Sequence, residues 1–364
     1  MMHRLPALLI GLVLLAACGS VPAAAPASVP AARVHASASV LPSVTALAQI
    51  QVVAETAATR TIKHSLGETT IPANATRVLV ADLLTLGAYA ALGELPYAAC
   101  GYPLEENVGP FGPIMTPLLD RKTEHLGGCA AFSNAFPLER FATLDPELIL
   151  VADVYAKRDN NYERLAAIAP TVAIPFLSSQ RLAFFQNVAA TIGKQQAAQE
   201  LLDAHYAKLD AVKNRLAEPL DVAVVALYPE GLTIFADTFA INPSLVRMGL
   251  TFNPVVQEIP GFEGDRVANL SYEQLQLLQP ADLIIVDQPA DGTDQRSFAE
   301  AKLNDPLWQA LPAVQQGNIV FMPESDLYAT GSILSYERAA DTVAAFLEQR
   351  GLLAAATATR RLGF

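Results

Sequence analysis

The residues best suited to holding a small molecule stand singly in loops: Tyr102, Phe111 and Arg121, then Tyr155, Lys157 and Arg158, and further along Tyr228, Phe239, Arg266 and Tyr328. Most of them follow a short apolar run that reads as a strand. Aromatic faces and cationic groups in such a set suit a ligand with apolar linkers and oxygen-rich, often anionic, groups. Covalent catalysis has no such support: G-x-S-x-G, a Walker loop, G-x-G-x-x-G after a strand and H-E-x-x-H are all absent. Once His3 and His35 near the N-terminus are set aside, His64, His125 and His205 remain. They lie far apart on different elements, poor material for a metal site, so neither a metal nor a cofactor is expected. Two carboxylates stand in matching contexts, Glu139 in Leu138-Glu139-Arg140-Phe141-Ala142-Thr143-Leu144-Asp145-Pro146 and Glu273 in Tyr272-Glu273-Gln274-Leu275-Gln276-Leu277-Leu278-Gln279-Pro280. Each falls in the first turn of an expected helix, where a negative side chain complements the helix dipole.

Positioning these residues requires alternating strands and helices. Short apolar runs at 77–82, 96–100, 124–127, 148–151 and 172–174 read as strands, with helices at 83–92, 137–144 and 160–169. That alternation predicts a parallel sheet covered on both faces. A second sheet begins at 222–227 and takes up 283–286. Val80-Ala81-Asp82 and Phe235-Ala236-Asp237 each end a strand and lead on to Gly93 or Gly249, so the chain reads as two similar lobes, 60–180 and 219–364. Between them, 181–218 carries Leu182, Phe185, Val188, Ile192, Leu201, His205, Leu209, Val212 and Leu216 at helical spacing without a proline until Pro219. It predicts one continuous helix of roughly 55 Å joining the lobes, kinked but not ended at Gly193. Ligand is expected between the lobes, at the carboxyl ends of the strands.

The chain has 364 residues, 52% hydrophobic and 16% charged, enough for two cores. Its net charge of −12 and lack of a basic stripe argue against nucleic acid as a partner. Residues 1–17 read as an export signal: Arg4 precedes a charge-free apolar run too short to span a bilayer. Leu15-Ala16-Ala17-Cys18 resembles the lipobox of bacterial lipoproteins, which implies lipidation of Cys18 and an extracytoplasmic protein, periplasmic or at the cell surface. Residues 18–59, rich in alanine and proline, read as a tether. The two remaining cysteines, Cys100 and Cys129, can form a disulfide in such a compartment or stay as buried thiols.

The order of elements resembles the substrate-binding lipoproteins of bacterial ABC importers for ferric siderophores, haem and cobalamin. The matching stretches are Lys63-His64-Ser65-Leu66-Gly67-Glu68-Thr69-Thr70-Ile71-Pro72, Leu138-Glu139-Arg140-Phe141 with Asp145-Pro146-Glu147-Leu148, Tyr162-Glu163-Arg164-Leu165-Ala166-Ala167-Ile168-Ala169-Pro170-Thr171-Val172, and Asp305-Pro306-Leu307-Trp308-Gln309-Ala310-Leu311-Pro312. The resemblance implies an α/β fold of two lobes with parallel central sheets joined by one long rigid helix, the helical-backbone periplasmic-binding-protein fold. It implies a monomer, not an enzyme, that binds an iron(III)-siderophore complex and delivers it to a permease dimer through Glu139 and Glu273. The chelator coordinates the iron. Haem or cobalamin is the alternative cargo, and an exported two-lobed hydrolase the alternative class.

Overall fold

The computed structural model describes residues 49–103, 110–119, 122–130, 135–252, 267–288, 301–302, 304–323, 326 and 332–354. Cys18, Arg121, Arg266 and Tyr328 lie outside the described residues. Order begins earlier than Arg60. Strand β1 (Gln51–Glu55) pairs antiparallel with β2 (Thr59–His64), which pairs with β3 (Gly67–Pro72). Ile50 is buried and donates its N–H to Asn187 Oδ1 at 3.0 Å. The expected tether therefore gives way to a sheet before residue 59, because a buried apolar anchor and a strand ladder hold 50–55.

The first lobe is a five-stranded parallel sheet in the order β6, β5, β4, β7, β8, formed by β4 (Val78–Val80), β5 (Ala98–Gly101), β6 (Glu124–Gly128), β7 (Leu148–Ala152) and β8 (Thr171–Ile174). Its central strands are apolar without alternation because both faces are covered. Val78, Val80, Leu148 and Leu150 enter one core, and Leu79, Ile149 and Val151 enter another behind the sheet. Asp82 starts helix α1 (Leu83–Ala91), accepting from Thr85 N and Thr85 Oγ1, and also takes the N–H of Ala152, all at 2.8 Å. One buried carboxylate thus caps a helix and locks the ends of β4 and β7 together. Helices α2 (Gly112–Leu119), α3 (Leu138–Thr143), α4 (Asp153–Ala156) and α5 (Asn161–Ala166) follow. A disulfide joins Cys100 at the end of β5 to Cys129 just past β6, with Cα atoms 5.5 Å apart.

The second lobe departs from the expected copy of the first. Its sheet runs β12, β10, β9, β13, β14, with β11 paired beside the first residues of β9. The members are β9 (Leu220–Tyr228), β10 (Gly231–Phe235), β11 (Leu250–Phe252), β12 (Val267–Leu270), β13 (Leu283–Gln288) and β14 (Ile319–Pro323). β11, β9, β13 and β14 are parallel, but β10 is antiparallel to both β9 and β12, so the sheet is mixed. The cause is local: only Pro229-Glu230 separates β9 from β10, a hairpin connection too short for a parallel crossover. Gly231 is needed there because a Cβ would meet Leu270 O at 2.2 Å. Among the described residues the lobe carries helices α8 (Asn242–Arg247), α9 (Pro306–Gln309), α10 (Pro312–Gln315) and α11 (Ile333–Gln349).

The connecting helix does not run through 181–218 in one piece. Residues 181–217 form two helices, α6 (Arg181–Ile192) and α7 (Gln195–Lys213), separated at Gly193. Gly193 adopts φ +75, and its N–H and that of Lys194 fold back on Ala190 O and Ala189 O, ending α6 rather than bending it. Of these two helices it is α7 that crosses, with Ala198 and Leu202 in the first lobe's core and Leu209 and Val212 in the second's. It does not cross alone. Helix α11 lies beside it, with Ile333 in the first core and Tyr336, Ala339, Val343 and Leu347 in the second.

Candidate functional site

Residues from both lobes meet around Arg181, the first residue of α6. Its side chain is only 7% exposed, with the guanidinium carbon 5.4 Å from the Phe176 ring and 5.9 Å from the Phe239 ring. Phe176 follows β8 and packs edge-on against Phe184, while Phe239 stacks on Phe235 at 4.9 Å. The main chain crosses the same seam: Ala240 N donates to Ser178 O at 3.3 Å, and Tyr336 Oη donates to Ala240 O at 3.0 Å. Ala240 holds φ +46, a left-handed conformation that is costly for an L-residue with a side chain. On the far side Ser332, the cap of α11, donates to Gly87 O at 2.9 Å.

Of the sequence candidates, Tyr155 and Phe239 are brought together here. Burial pushes the Tyr155 phenol up to about 12, with the Arg181 charge opposing, so the phenol remains a donor at neutral pH. Arg158 lies 5.2 Å over the Tyr155 ring, and Lys157 Nζ pairs with Asp153 Oδ2 at 2.6 Å. Asp153 is buried and also accepts from Phe176 N, tying α4 to the segment that carries Arg181. Tyr102 and Phe111 are placed elsewhere, buried in the first lobe's core, with Phe111 edge-on to His125. Tyr228 stands beside an open groove of about 560 Å³ with Glu230, Thr233 and Ser271, and its carbonyl accepts from Tyr272 Oη. Glu139 is exposed in the first turn of α3, and Glu273 is exposed in the first turn of a 3-10 helix, Tyr272–Leu278, capped by Ser271 and Gln274.

A Ser-His-Glu cluster lies under the seam. Ser244 Oγ is 3.1 Å from His205 Nε2, and His205 Nδ1 is 2.6 Å from Glu337 Oε1. The order matches a nucleophile, a base and an orienting acid. However, Ser244 and His205 are buried, and no described cavity reaches them. Burial holds the His205 pKa below its ordinary value, with Glu337 opposing. A neutral imidazole satisfied on both sides serves here as a clamp between α7, α8 and α11. Arg181 is not among the sequence candidates because it reads as the first turn of a rod. Its signal in the sequence is a cation between Phe176 and Phe184-Phe185.

Residues 133–326 match a family model described as periplasmic binding protein. YhfQ of Bacillus subtilis, a candidate ABC transporter substrate-binding lipoprotein by name, is 23% identical over 79% of this chain and 86% of its own. The iron(3+)-hydroxamate-binding protein FhuD of the same organism is 23% identical over 76% of this chain and 83% of its own. Among solved structures, SirA of Staphylococcus aureus complexed with staphyloferrin B superposes with a TM-score of 0.66 at 22% identity, covering 80% of this chain and 98% of that one.

Proposed function

Because the chain belongs to the periplasmic binding protein family, we propose that it captures an iron(III)-siderophore complex between its lobes and delivers it to the permease of an ABC importer. The observation that carries this reading is the seam itself, where Tyr155, Phe176 and Arg181 of one side face Phe239 of the other. Rings flanking a guanidinium match a chelate with apolar linkers and oxygen-rich groups. Relatives named for a ferric hydroxamate and for staphyloferrin B agree with such a cargo. Tyr155, Lys157, Arg158 and Phe239 then contact ligand, joined by Arg121, Arg266 and Tyr328. Tyr102 and Phe111, buried in the first lobe's core, and Tyr228, beside its own groove, stand apart from this contact set.

Export with residues 1–17 removed, lipid on Cys18 and a tether to the membrane keep the cargo near its importer. Glu139 and Glu273, both exposed, dock on permease arginines as two charge-assisted pairs. The test is a titration of Trp308 and tyrosine emission with hydroxamate, catecholate and carboxylate ferric chelates, haem and cobalamin. Saturable quenching at one equivalent by a ferric chelate is expected, and no stoichiometric complex with any of them would refute capture. In cells, Glu139→Ala with Glu273→Ala lowers uptake and leaves affinity intact. Equal loss of both would contradict docking.

A further inference from the structure

We propose a second binding site in the first lobe, at the opposite end of its sheet from the cleft, where Arg60 and Tyr89 receive a small carboxylate that carries an apolar body. Its place follows from the strands. Val78 and Leu148, the first residues of β4 and β7, line it, whereas Asp82 and Tyr155 follow the carboxyl ends of the same two strands. The site is a pocket of about 320 Å³, within the range of small-molecule sites. Strand β2, the turn after β3, the end of α1 and the junction of α6 with α7 bound it.

Three polar side chains meet there. Arg60 is 18% exposed, and its Nε donates to Glu55 Oε1 at 2.6 Å. Its Nη1 and Nη2 have no partner among the described residues, so the outer edge of the fork remains open. Gly193 makes room for it, because the guanidinium lies against the place that a Cβ would take. Tyr89 is 5% exposed and lines the same pocket, and its hydroxyl has no hydrogen-bond partner among the described residues. Burial and the Glu94 charge both push its phenol up, which keeps the hydroxyl a donor and sets it on the side of Glu94. A phenol so deeply placed usually finds a partner, and one left open to a pocket marks where a ligand atom completes it. Lys194, where α7 begins, reaches across with Nζ 2.6 Å from Glu94 Oε1.

These groups select the chemistry. A guanidinium gives two parallel N–H bonds to one carboxylate, and the phenol adds a third donor. The carboxylates at hand are engaged, Glu55 on Arg60, Glu94 on Lys194, and Glu147 on the N–H groups of Thr76 and Arg77. Ile71, Ala75 and Ile192 supply apolar wall for the rest of the molecule. Arg60 also suits the negative end of α6, against which it packs. If that were its whole purpose, no carboxylate would bind through it.

The experiment titrates the full chain with benzoate, benzyl alcohol and benzylamine, read by ligand-observed NMR and by the thermal midpoint. Benzoate is expected to bind saturably and raise the midpoint, with the neutral and cationic analogues at least about tenfold weaker. Arg60→Gln weakens benzoate by at least about tenfold, Tyr89→Phe severalfold, and Arg60→Lys, which keeps the charge and loses the fork, falls between. In each variant, ferric-chelate quenching stays within about twofold of wild type, because the cleft lies at the other end of the strands. Failure of benzoate to saturate, a preference for benzylamine, or equal benzoate affinity in wild type, Arg60→Gln and Tyr89→Phe would overturn the site. Displacement of benzoate by a ferric chelate would place it in the cleft and overturn the site as well.

Discussion

Replacing Gly193 by alanine separates a rod from a broken helix by the sign of the effect. In mid-helix, alanine in place of glycine stabilises by about 0.8–1 kcal/mol. At the observed φ of +75 an alanine is instead penalised by about 1–2 kcal/mol. A further loss comes from Arg60, whose Nη1 lies 2.4 Å from where the Cβ would be. That guanidinium is the end of a flexible side chain, and its partner Glu55, at 2.6 Å, is 55% exposed. Displacing it therefore costs under about 1 kcal/mol. Gly93 supplies the control, with φ +78 and nothing within 4 Å of its Cβ position. Urea unfolding should show Gly193→Ala less stable by about 1–3 kcal/mol and Gly93→Ala by about 1–2, at unchanged m. The excess at Gly193 should vanish in an Arg60→Ala background. A stabilised Gly193→Ala would refute the break between α6 and α7.

Two other outcomes follow from buried groups. The disulfide closes a loop with a sequence separation of 29, so Cys100→Ser with Cys129→Ser should lower stability by about 3–4 kcal/mol in the chain-entropy model; an unchanged denaturation midpoint would count against that magnitude. Burial holds His64 down at about 4 and lowers His125 and His205 as well. Unfolded histidine titrates near 6.5, so the unfolded chain binds more protons below that pH, and stability is full above about 6.5 and falls as pH drops toward 4. His64→Gln should flatten that decline in denaturation midpoints measured from pH 7 to 4, and an unaltered slope would show that His64 does not contribute.

The first lobe was legible because its signals are local. Leu148–Ala152 is a run of apolar residues with no alternation, and α1 is bracketed by Asp82 and Gly93, one capping and the other left-handed. The second lobe was less so. β10 reads as a strand, but its antiparallel direction is set by the brief Pro229-Glu230 link and by partners distant in sequence. The rod was misread for a related reason: Val188 before Gly193 and Leu202 after it are buried in the same core, so the apolar period continues while the helix does not. Among the site candidates, Tyr155 and Phe239 reach the seam, but type alone could not separate them from Tyr102 and Phe111, equally aromatic and placed in a core. Arg181 needed coordinates, since a cation between Phe176 and Phe184-Phe185 is a signal in its own segment that does not say two lobes meet there.

The pairing of α7 with α11 bears on how the protein signals that it is loaded. One strut between two bodies leaves torsion about its own axis nearly unopposed. Two parallel struts, laced by His205 to Glu337 at 2.6 Å and by Lys208 to Asp341 at 2.8 Å, make a frame that resists torsion as well as bending. In the proposed capture and delivery, this frame transmits little rotation between the lobes, so a difference between a loaded and an empty molecule falls on segments it does not brace.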